Sequence, residues 1–347
     1  MPHLLDLPPT DLEHVLTGVD GWQMLRGQRL LLTGGTGFVG KWLLGSFLYA
    51  NRALGLGAKL VVLSRQVKAF QARHPEISHA PEIEWLQGDV RDFKLGAEQR
   101  CAFAIHGATD VSNNMPAQET FDTCIRGTAN VLAQAGAKRL LFLSSGAVYG
   151  RPQPGLARIP EDWLVAPDCL APSSAYGEGK RAGELLCAMA AAEQGMSIPI
   201  ARGFAFVGPH LPLDKHFAIG NFIAAALRGE TLHIQGDGTP RRSYLYAADL
   251  ALWLWTLLFH GQSGRAYNVG GEESLSIDQL AKRVAGLVGT ASTVQLAQQP
   301  NPAAPVQCYV PELRRAATEL GLRARIGLDE AIQRTANWAR KCDRRLS

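Results

Sequence analysis

Residues 30–40 read Leu-Leu-Leu-Thr-Gly-Gly-Thr-Gly-Phe-Val-Gly. The leucine run predicts a buried strand of a parallel sheet, and the apolar pattern from Phe38 onward predicts a helix. Glycines at such a junction turn the chain, admit a pyrophosphate and let the helix pack closely on the strand, while the helix N-terminus offers free N–H groups. We interpret the segment as a dinucleotide-binding loop, with a ligand-free glycine turn as the alternative. The expected cofactor contacts here are Gly34, Gly37, Phe38, Val39 and Gly40.

Strands and helices alternate after this loop. Further strands are predicted at 59–63, 83–86, 101–105 and 139–143, and helices at 38–54, 116–135 and from residue 175. This alternation predicts an α/β protein with a doubly wound parallel sheet of the Rossmann type and a smaller, discontinuous α/β substrate domain towards the C-terminus. The expected dinucleotide-binding domain comprises residues 1–203 and 244–268, with 1–27 as a lid or packing extension. The expected substrate domain comprises 204–243 and 269–347.

The end of the second strand carries the signal for cofactor choice. An acidic residue there would bind both ribose hydroxyls of NAD(H), whereas this chain has Ser64 and Arg65. A guanidinium and a hydroxyl suit a 2′-phosphate, so the sequence favours NADP(H) over NAD(H). A solvent-facing arginine is the alternative.

The next two strand ends are also expected to contact the cofactor. Asp89 could accept a hydrogen bond from the adenine amino group, or it could cap the following turn. His106 precedes Gly107 and Ala108, small residues that would let the backbone pass beneath a dinucleotide. We interpret His106 as a structural histidine in preference to an acid or base. The expected contacts at these strand ends are Asp89, Val90, His106 and Ala108.

A candidate catalytic group follows. Tyr176 and Lys180 are four residues apart on a predicted helix and therefore project from one face. A nearby ammonium favours the phenolate, so we expect Lys180 to lower the pKa of the tyrosine. Ser145 lies at the end of a central strand, where ligands bind in such sheets, and is expected to hold the substrate oxygen. We expect Tyr176 and Lys180 to contact the cofactor as well.

On these residues the chain resembles the extended short-chain dehydrogenases/reductases that modify nucleotide sugars, the epimerase/dehydratase group. The likeness covers almost the whole chain. It rests on Thr-Gly-Gly-Thr-Gly-Phe-Val-Gly (33–40), Gly-Thr-Ala-Asn-Val-Leu (127–132), Ser-Ser-Gly-Ala-Val-Tyr-Gly (144–150), Tyr176 with Lys180, Gly-Pro (208–209), the segment 236–249 containing Arg-Ser-Tyr-Leu-Tyr (242–246), and Tyr-Asn-Val-Gly (267–270).

The resemblance implies a substrate site as well as a cofactor site. In relatives the arginine at the position of Arg242 clamps the substrate diphosphate, which a fork of donors suits. The region of Asn221 binds the base and diphosphate, an assignment made by position alone. The substrate-binding residues implied are Ser145, Gly146, Asn221 and Arg242.

Departures from the family pattern bear on which of the family's activities the chain has. The 4,6-dehydratases of the family carry Asp-Glu directly after the catalytic hydroxyl residue, where this chain has Gly146 and Ala147, which move no protons. The sequence therefore disfavours a 4,6-dehydratase. Cys124 and Ala205 stand where relatives often have asparagine. The first change puts a cofactor-side hydrogen bond of the family in doubt, and the second removes a frequent contact to the substrate's phosphates or sugar.

The favoured hypothesis is an NADP(H)-dependent reductase that acts at C4 of a nucleoside-diphosphate 4-keto-6-deoxyhexose. A 4-epimerase that keeps its cofactor bound is the first alternative, because it needs the same Ser-Tyr-Lys group. A non-catalytic NADP(H)-sensing protein is an alternative of another class.

Composition limits the remaining partners. The formal net charge of +4 is small and dispersed, which argues against nucleic acid. Six cysteines without metal-type spacing indicate no metal site and a reducing, cytoplasmic location, and no secretory signal is expected. The apolar segment 250–259 is too short to span a membrane and is expected in the core.

The helices at 116–135 and 175–195 are expected to form a homodimer through Phe121, Ile125, Leu132, Leu185 and Met189.

Overall fold

The computed structural model describes residues 4–109, 115–152, 154–215, 217–289 and 292–343. The strands are β1 (Arg29–Thr33), β2 (Lys59–Ser64), β3 (Ile83–Gln87), β4 (Phe103–His106), β5 (Arg139–Ser145), β6 (Ile200–Gly203), β7 (Phe206–Val207), β8 (Leu232–Ile234), β9 (Arg241–Arg242), β10 (Leu245–Tyr246), β11 (Ala266–Val269), β12 (Leu275–Ser276), β13 (Val294–Leu296) and β14 (Cys308–Tyr309). The α-helices are α1 (Pro9–Gly18), α2 (Phe38–Ala53), α3 (Val67–Arg73), α4 (Pro75–Ser78), α5 (Ala117–Ala135), α6 (Ala175–Gln194), α7 (Ala218–Leu227), α8 (Ala247–His260), α9 (Ile277–Val288), α10 (Arg314–Leu320) and α11 (Leu328–Asp343).

A seven-stranded sheet forms the centre of the protein, in the order β3-β2-β1-β4-β5-β6-β11. Every neighbouring pair in it is parallel. The chain leaves β1 towards one edge and returns at β4 on its other side, so a crevice opens at the carboxyl ends of these strands, where ligands bind in such sheets. The predicted doubly wound α/β fold is confirmed.

Side chains of β1 show how one strand builds two cores, because successive residues point to opposite faces of a sheet. Leu31 packs with β5 and helices α5 and α6 on one face. Leu30 and Leu32 pack on the other face with α2 and α8. All three leucines are buried, which is why this strand reads as a continuous apolar run.

Helix α8 lies within the second of these cores, with its last residue, His260, exposed. Trp253 and Trp255 are fully buried there, as the sequence predicts. The indole N–H of Trp255 donates to Ser46 at 2.8 Å, which satisfies its polar atom inside the core. Within the described ranges, no helix combines the length and apolar character that crossing a bilayer requires.

The N-terminal extension packs as part of the core. Helix α1 lies against α2 and α8. Asp11 on α1 is fully buried, accepts a hydrogen bond from Tyr246 at 2.6 Å, and forms an ion pair with Arg334 of α11. Of the two roles expected for this segment, the contacts of residues 4–27 fit a packing extension.

Smaller sheets build the C-terminal part of the chain. Strands β8 and β13 pair in parallel, and β9 lies between β12 and β14. Helices α7, α9 and α11 pack on one another beside them. The β9–β14 pair places Arg242 opposite Tyr309, and both side chains line the cavity described below.

Some boundaries differ from the sequence prediction for identifiable reasons. Strand β4 begins at Phe103, where its pairing with Leu30 of β1 starts, and the N–H of Cys101 bonds outside the sheet to the carbonyl of Ala135. Leu132, expected on an outward apolar face of α5, is buried against the sheet, so the prediction was wrong for that residue.

Candidate active site

A cavity of about 1060 Å³ opens at the carboxyl ends of the central strands. It runs from the glycine-rich loop, past the ends of β4 and β5, to the β9–β14 pair. The residues predicted for the site that line it are Gly34, Gly37, Phe38, Val39, Gly40, Ser64, Arg65, Asp89, Val90, Ala108, Ser145, Tyr176, Lys180 and Arg242. Three others do not line it: His106, Gly146 and Asn221.

The glycines of the loop differ in what surrounds them. Gly34 has a φ of +76°, in the left-handed region that favours glycine. A Cβ atom at Gly40 would overlap the carbonyl oxygen of Gly34 and lie 2.5 Å from the Cα of Gly35. At Gly37 the nearest atom to such a Cβ is 3.5 Å away, so this glycine leaves open space on the cavity side. Gly34 thus makes the turn, Gly40 allows the close packing, and Gly37 leaves space for a ligand.

Lys180 and Tyr176 lie on the first turns of α6 and converge on the end of β5. The Lys180 ammonium donates to the carbonyl of Leu143 at 2.8 Å and lies 5.9 Å from the centre of the Tyr176 ring. Ser145, the last residue of β5, accepts a hydrogen bond from the N–H of Ala147 at 3.1 Å. Ser145 and Tyr176 both line the cavity here.

Burial controls the protonation of this group. Desolvation raises the pKa of Tyr176, and the hydrogen bond from Ser145 opposes that shift without reversing it. Desolvation also lowers the pKa of Lys180. The sequence led us to expect a lowered pKa for Tyr176, and that expectation was wrong, because desolvation outweighs the attraction of a nearby cation. The phenol is therefore protonated at neutral pH and can donate its proton.

His106 lies behind the cavity wall and is fully satisfied. Its Nδ1 contacts the Thr33 hydroxyl at 2.8 Å and its Nε2 contacts the Thr128 hydroxyl at 3.0 Å. The Thr33 oxygen already accepts from the N–H groups of Gly107 and Ala108, so its proton points to Nδ1 and the histidine proton is on Nε2. Burial and the Lys180 cation lower the pKa of His106 to about 3, so the ring is neutral.

The Asp89 carboxylate is bound by the neighbouring Arg91. The Arg91 guanidinium binds both carboxylate oxygens at 2.9 Å, and the Arg91 N–H also donates to the carboxylate at 2.9 Å. These bonds hold the pKa of Asp89 below its ordinary value. Asp89 still lines the cavity, and its contact with the Arg91 N–H is that of a residue capping a turn.

One end of the cavity is built by the loop after β1 and by the end of β2. Ser64 is buried, contacts the Thr36 hydroxyl at 3.2 Å and accepts from the N–H of Gln66 at 3.2 Å. Arg65 is exposed and lines this end of the cavity. A cation and two hydroxyls therefore surround the position beyond the second strand.

A family model described as the NAD dependent epimerase/dehydratase family matches residues 30–270. The match covers more than half of the chain and includes the glycine loop, Ser145, Tyr176 and Lys180. The chain belongs to this family.

Individual relatives agree with that assignment. The enzyme is 28% identical to UDP-glucuronic acid decarboxylase 1 of Xenopus tropicalis over 90% of this chain and 72% of the relative. It is 28% identical to UDP-glucuronic acid decarboxylase 3 of Arabidopsis thaliana over 88% of this chain and 86% of the relative.

Solved structures show the same fold. A UDP-glucose 4-epimerase from Thermotoga maritima superposes with a TM-score of 0.74 at 22% identity, over 90% of this chain and 99% of that one. A dTDP-glucose 4,6-dehydratase from Streptomyces venezuelae superposes with a TM-score of 0.74 at 24% identity, over 90% of this chain and 97% of that one.

The residues present fit the nicotinamide cofactor that the family name implies. The open space at Gly37 lies at the N-terminus of α2, where free N–H groups favour a pyrophosphate. The opposite end of the cavity wall carries Tyr176 and Lys180. The cavity therefore has one end that suits phosphates and another that can donate a proton, as a nicotinamide dinucleotide requires.

Two parts of the enzyme's site were missed by sequence reasoning. Tyr309 lines the cavity beside Ser145, its ring 4.7 Å from that of Phe204 and 5.4 Å from the Arg242 guanidinium. Burial raises the pKa of Tyr309 to about 12, although its hydrogen bond with Ser145 opposes the shift. It belongs to a strand of only two residues, far along the chain from the family's motifs, so no local pattern marks it.

The second part is a polar network behind Ser144. The Ser144 hydroxyl donates to Glu184 at 2.5 Å, and the Arg202 guanidinium binds both oxygens of that carboxylate at 2.9 and 2.7 Å. Arg202 also donates to the Tyr149 hydroxyl at 2.9 Å, which in turn donates to Asn268 at 2.7 Å. This network ties the ends of β5, β6 and β11 to α6, the helix that carries Tyr176 and Lys180.

Proposed function

We propose that this enzyme is an NADP(H)-dependent reductase that acts on the C4 keto group of a nucleoside-diphosphate 4-keto-6-deoxyhexose. The observation that carries the proposal is the composition of the cavity wall around Ser145, Tyr176 and Lys180. Among the described residues that line the cavity, the only carboxylate is Asp89, which Arg91 holds at the end of β3. The described part of the lining therefore offers a proton donor for a ketone oxygen but no acid–base pair of the kind that removal of water needs.

The substrate class follows from the relatives and from the charge of the cavity. The relatives and neighbouring structures are named for UDP-glucuronic acid, UDP-glucose and dTDP-glucose, all nucleotide sugars. The substrate end of the cavity contains two cations, Arg242 and Lys215, which suit a diphosphate. Arg242 is held in place by donating to the carbonyl of Arg241 at 2.8 Å.

The protein's part in the reaction is the delivery and stabilisation of a proton. When bound, the nicotinamide supplies a hydride to the keto carbon. The neutral Tyr176 phenol gives its proton to the keto oxygen, and solvent later returns a proton to the phenolate. Ser145 hydrogen-bonds to the reacting oxygen, and the Lys180 ammonium stabilises the transient phenolate.

The preference for NADP(H) rests on Arg65. Its guanidinium is exposed at the end of the cavity, next to the Ser64 and Thr36 hydroxyls. No acidic side chain accompanies them at the end of β2, where one would bind the ribose hydroxyls of NAD(H) and repel a 2′-phosphate.

A 4-epimerase is the second candidate, because the complete Ser145, Tyr176 and Lys180 group is all the acid–base chemistry that epimerisation needs. The two activities differ in how they use the cofactor. A reductase consumes reduced cofactor stoichiometrically, whereas an epimerase is purified with bound cofactor and turns over without any addition. The sensing alternative has less support, because the catalytic group is complete.

Incubation with a panel of nucleoside-diphosphate 4-keto-6-deoxyhexoses and NADPH tests the proposal through the loss of near-ultraviolet absorbance of the reduced cofactor. We expect stoichiometric loss with at least one sugar, and Tyr176→Phe lowering kcat by about 10²–10⁴-fold. Phe retains the ring, so Tyr176→Phe controls for packing. Interconversion of 4-epimers without added cofactor would instead establish the epimerase. A Tyr176→Phe enzyme with wild-type kcat would remove the catalytic assignment.

Helices α5 and α6 carry our proposal of a homodimer. They pack against each other on one face of the sheet. Phe121 is 40% exposed, Leu185 62% and Met189 46%, so large apolar side chains remain on their outer surface. A second copy that meets these helices around a two-fold axis would bury these apolar side chains.

We also propose a cytoplasmic location, since the six cysteines are free thiols.

A further inference from the structure

Three polar residues lie one turn apart on α6. Tyr176, Lys180 and Glu184 are spaced by four residues and therefore share one face of the helix. Tyr176 and Lys180 line the cavity, whereas Glu184 does not. Any effect of Glu184 on the reaction must therefore act through a neighbouring group.

Lys180 and Glu184 hold two successive residues at the end of β5. The Lys180 ammonium donates to the carbonyl of Leu143 at 2.8 Å, and the Glu184 carboxylate accepts from the Ser144 hydroxyl at 2.5 Å. Leu143 and Ser144 are adjacent, and they lead directly into Ser145. A cation and an anion of α6 thus bind the same short segment of the strand that carries the catalytic serine.

Arg202 of β6 fixes the Glu184 carboxylate from behind. Its guanidinium donates to both carboxylate oxygens, at 2.9 and 2.7 Å, and the two side chains are only 15% and 13% exposed. The same guanidinium donates to the Tyr149 hydroxyl and to the carbonyl of Glu161, both at 2.9 Å. A planar fork with so many fixed partners holds the carboxylate in one orientation.

The buried Lys180 ammonium needs an opposite charge, because a buried charge is stable only when it is paired. Among the described residues, the titratable groups that face it are Tyr176, Glu184 and Cys187 on α6, Cys124 on α5 and His106 on β4. Burial raises the pKa of both thiols and of the phenol, and the histidine ring is neutral. The carboxylate of Glu184 is therefore the anion of this set.

We propose that Glu184 is a positioning residue that supplies the counter-charge for the Lys180 ammonium and, through the end of β5, holds that ammonium beside Tyr176. The inference rests on the proposed function, which it deepens, because the reductase needs a charged Lys180 to stabilise the Tyr176 phenolate. Glu184 thus acts through Lys180 and contacts neither cofactor nor substrate.

A counter-charge at residue 184 has a consequence for the pH dependence of turnover. Desolvation lowers the pKa of Lys180, and the Glu184 carboxylate opposes this shift. Removal of the carboxylate lowers the pKa of Lys180 further, so the ammonium loses its proton at a lower pH. Since turnover requires the ammonium, the alkaline fall in kcat should begin at a lower pH.

The pH profile of kcat in the NADPH oxidation assay tests this role. Gln has the shape of Glu and keeps an oxygen for Ser144. We expect Glu184→Gln to move the alkaline fall by roughly 0.5–1 pH unit to lower pH, with KM for the sugar little changed. Glu184→Asp retains the charge and should keep the wild-type profile.

The matched control is Glu178→Gln, which removes another carboxylate from the same helix. Glu178 pairs with Arg181 at 3.5 Å and does not line the cavity. Its profile should be that of the wild type. A Glu184→Gln enzyme whose kcat falls by one factor at every pH, or does not fall at all, would overturn the proposal. A Glu184→Asp profile displaced as far as that of Glu184→Gln would do the same.

A second measurement does not depend on turnover. With lysines labelled at the ε carbon, the Lys180 resonance is assigned by its absence in Lys180→Arg, and its titration reports the protonation of the ammonium. We expect a lower titration midpoint in Glu184→Gln than in the wild type. An unchanged midpoint would refute the counter-charge, whatever the substrate. If the midpoint falls but no 4-keto sugar is reduced, the proposed function fails while the role of Glu184 towards Lys180 stands.

If Glu184→Gln does not fold because Arg202 is left unpaired, the double variant with Arg202→Met removes both charges of the buried pair, a change that proteins often tolerate. The Lys180 midpoint should still fall, because Glu184 lies one turn from Lys180 on the same helix whereas Arg202 lies on β6. A wild-type midpoint in the double variant would overturn the proposal.

Discussion

Gly40 faces the carbonyl of Gly34 so closely that a Cβ atom at residue 40 would overlap that oxygen. The contact joins the first turn of α2 to the loop that leaves β1. Since both partners are backbone, neither can move aside as a flexible side chain would.

We therefore expect Gly40→Ala to abolish cofactor binding and to lower the free energy of unfolding by about 1–3 kcal/mol, as overpacking does. Gly286→Ala is the matched control, because Gly286 is exposed on α9 with nothing near its Cβ position. That change should stabilise the protein by up to about 1 kcal/mol. Fluorescence titration with NADPH and urea unfolding measure the two effects. A Gly40→Ala protein that binds NADPH normally would contradict the close-packing argument.

Arg65→Ala should weaken NADPH binding by roughly 10- to 100-fold and leave NADH binding within about threefold, because the lost charge-assisted bonds go to the 2′-phosphate. Lys68→Ala is the control, since Lys68 is a nearby exposed cation of α3 that does not line the cavity. Isothermal titration gives both dissociation constants. Equal losses for NADPH and NADH would show that Arg65 does not discriminate between the cofactors.

His106 should make the protein sensitive to acid. Its folded pKa of about 3 lies below the ordinary value of 6.5, so the unfolded chain takes up the proton first. The unfolding free energy therefore falls as the pH drops below 6.5, by about 2–3 kcal/mol from this group on reaching pH ~4.5. Urea unfolding at pH ~7 and ~4.5 should show a smaller pH-dependent loss for His106→Gln than for the wild type. An identical loss in both proteins would contradict the buried, neutral state of the ring.

Arg334→Met should destabilise the protein by about 3 kcal/mol at pH ~7, because it leaves the buried Asp11 carboxylate with Tyr246 but without its cation. Burial already raises the pKa of Asp11, and removal of the cation raises it further. The deficit should therefore shrink as the pH falls and the carboxyl takes up a proton. Arg228→Met, which breaks an exposed pair with Glu230, should leave the unfolding midpoint unchanged. Equal effects of the two changes would show that the Asp11 pair is not buried in solution.

Leu185→Arg should convert the proposed dimer to a monomer, because it places a cation in the centre of an apolar interface. Leu164→Arg is the control, since Leu164 is even more exposed but lies in the loop before α6. Sedimentation velocity at micromolar concentration distinguishes the species. A wild-type protein that sediments as a monomer would refute the dimer.

Local patterns were sufficient for the architecture but insufficient for the chemistry of the site. The leucines of β1 and the glycines after it predicted a strand, a turn and a helix at the right places, because each depends on a few neighbouring residues. The pKa of Tyr176 was predicted in the wrong direction, because it depends on how much water surrounds the phenol. Leu132 was placed on the wrong side of α5, since an amphipathic pattern does not say which neighbour covers which residue.

Sequence alone determined the parallel α/β fold, the glycine loop, and the presence of Ser145, Tyr176 and Lys180, because these are set by backbone conformation and by spacing along one segment. Only the tertiary structure decided that Tyr309 lies over Gly146, that Arg91 holds Asp89, and that His106 is a neutral ring behind the cavity. Those relationships join residues from separate segments, and their energies depend on burial and direction, which come into being only when the chain has folded.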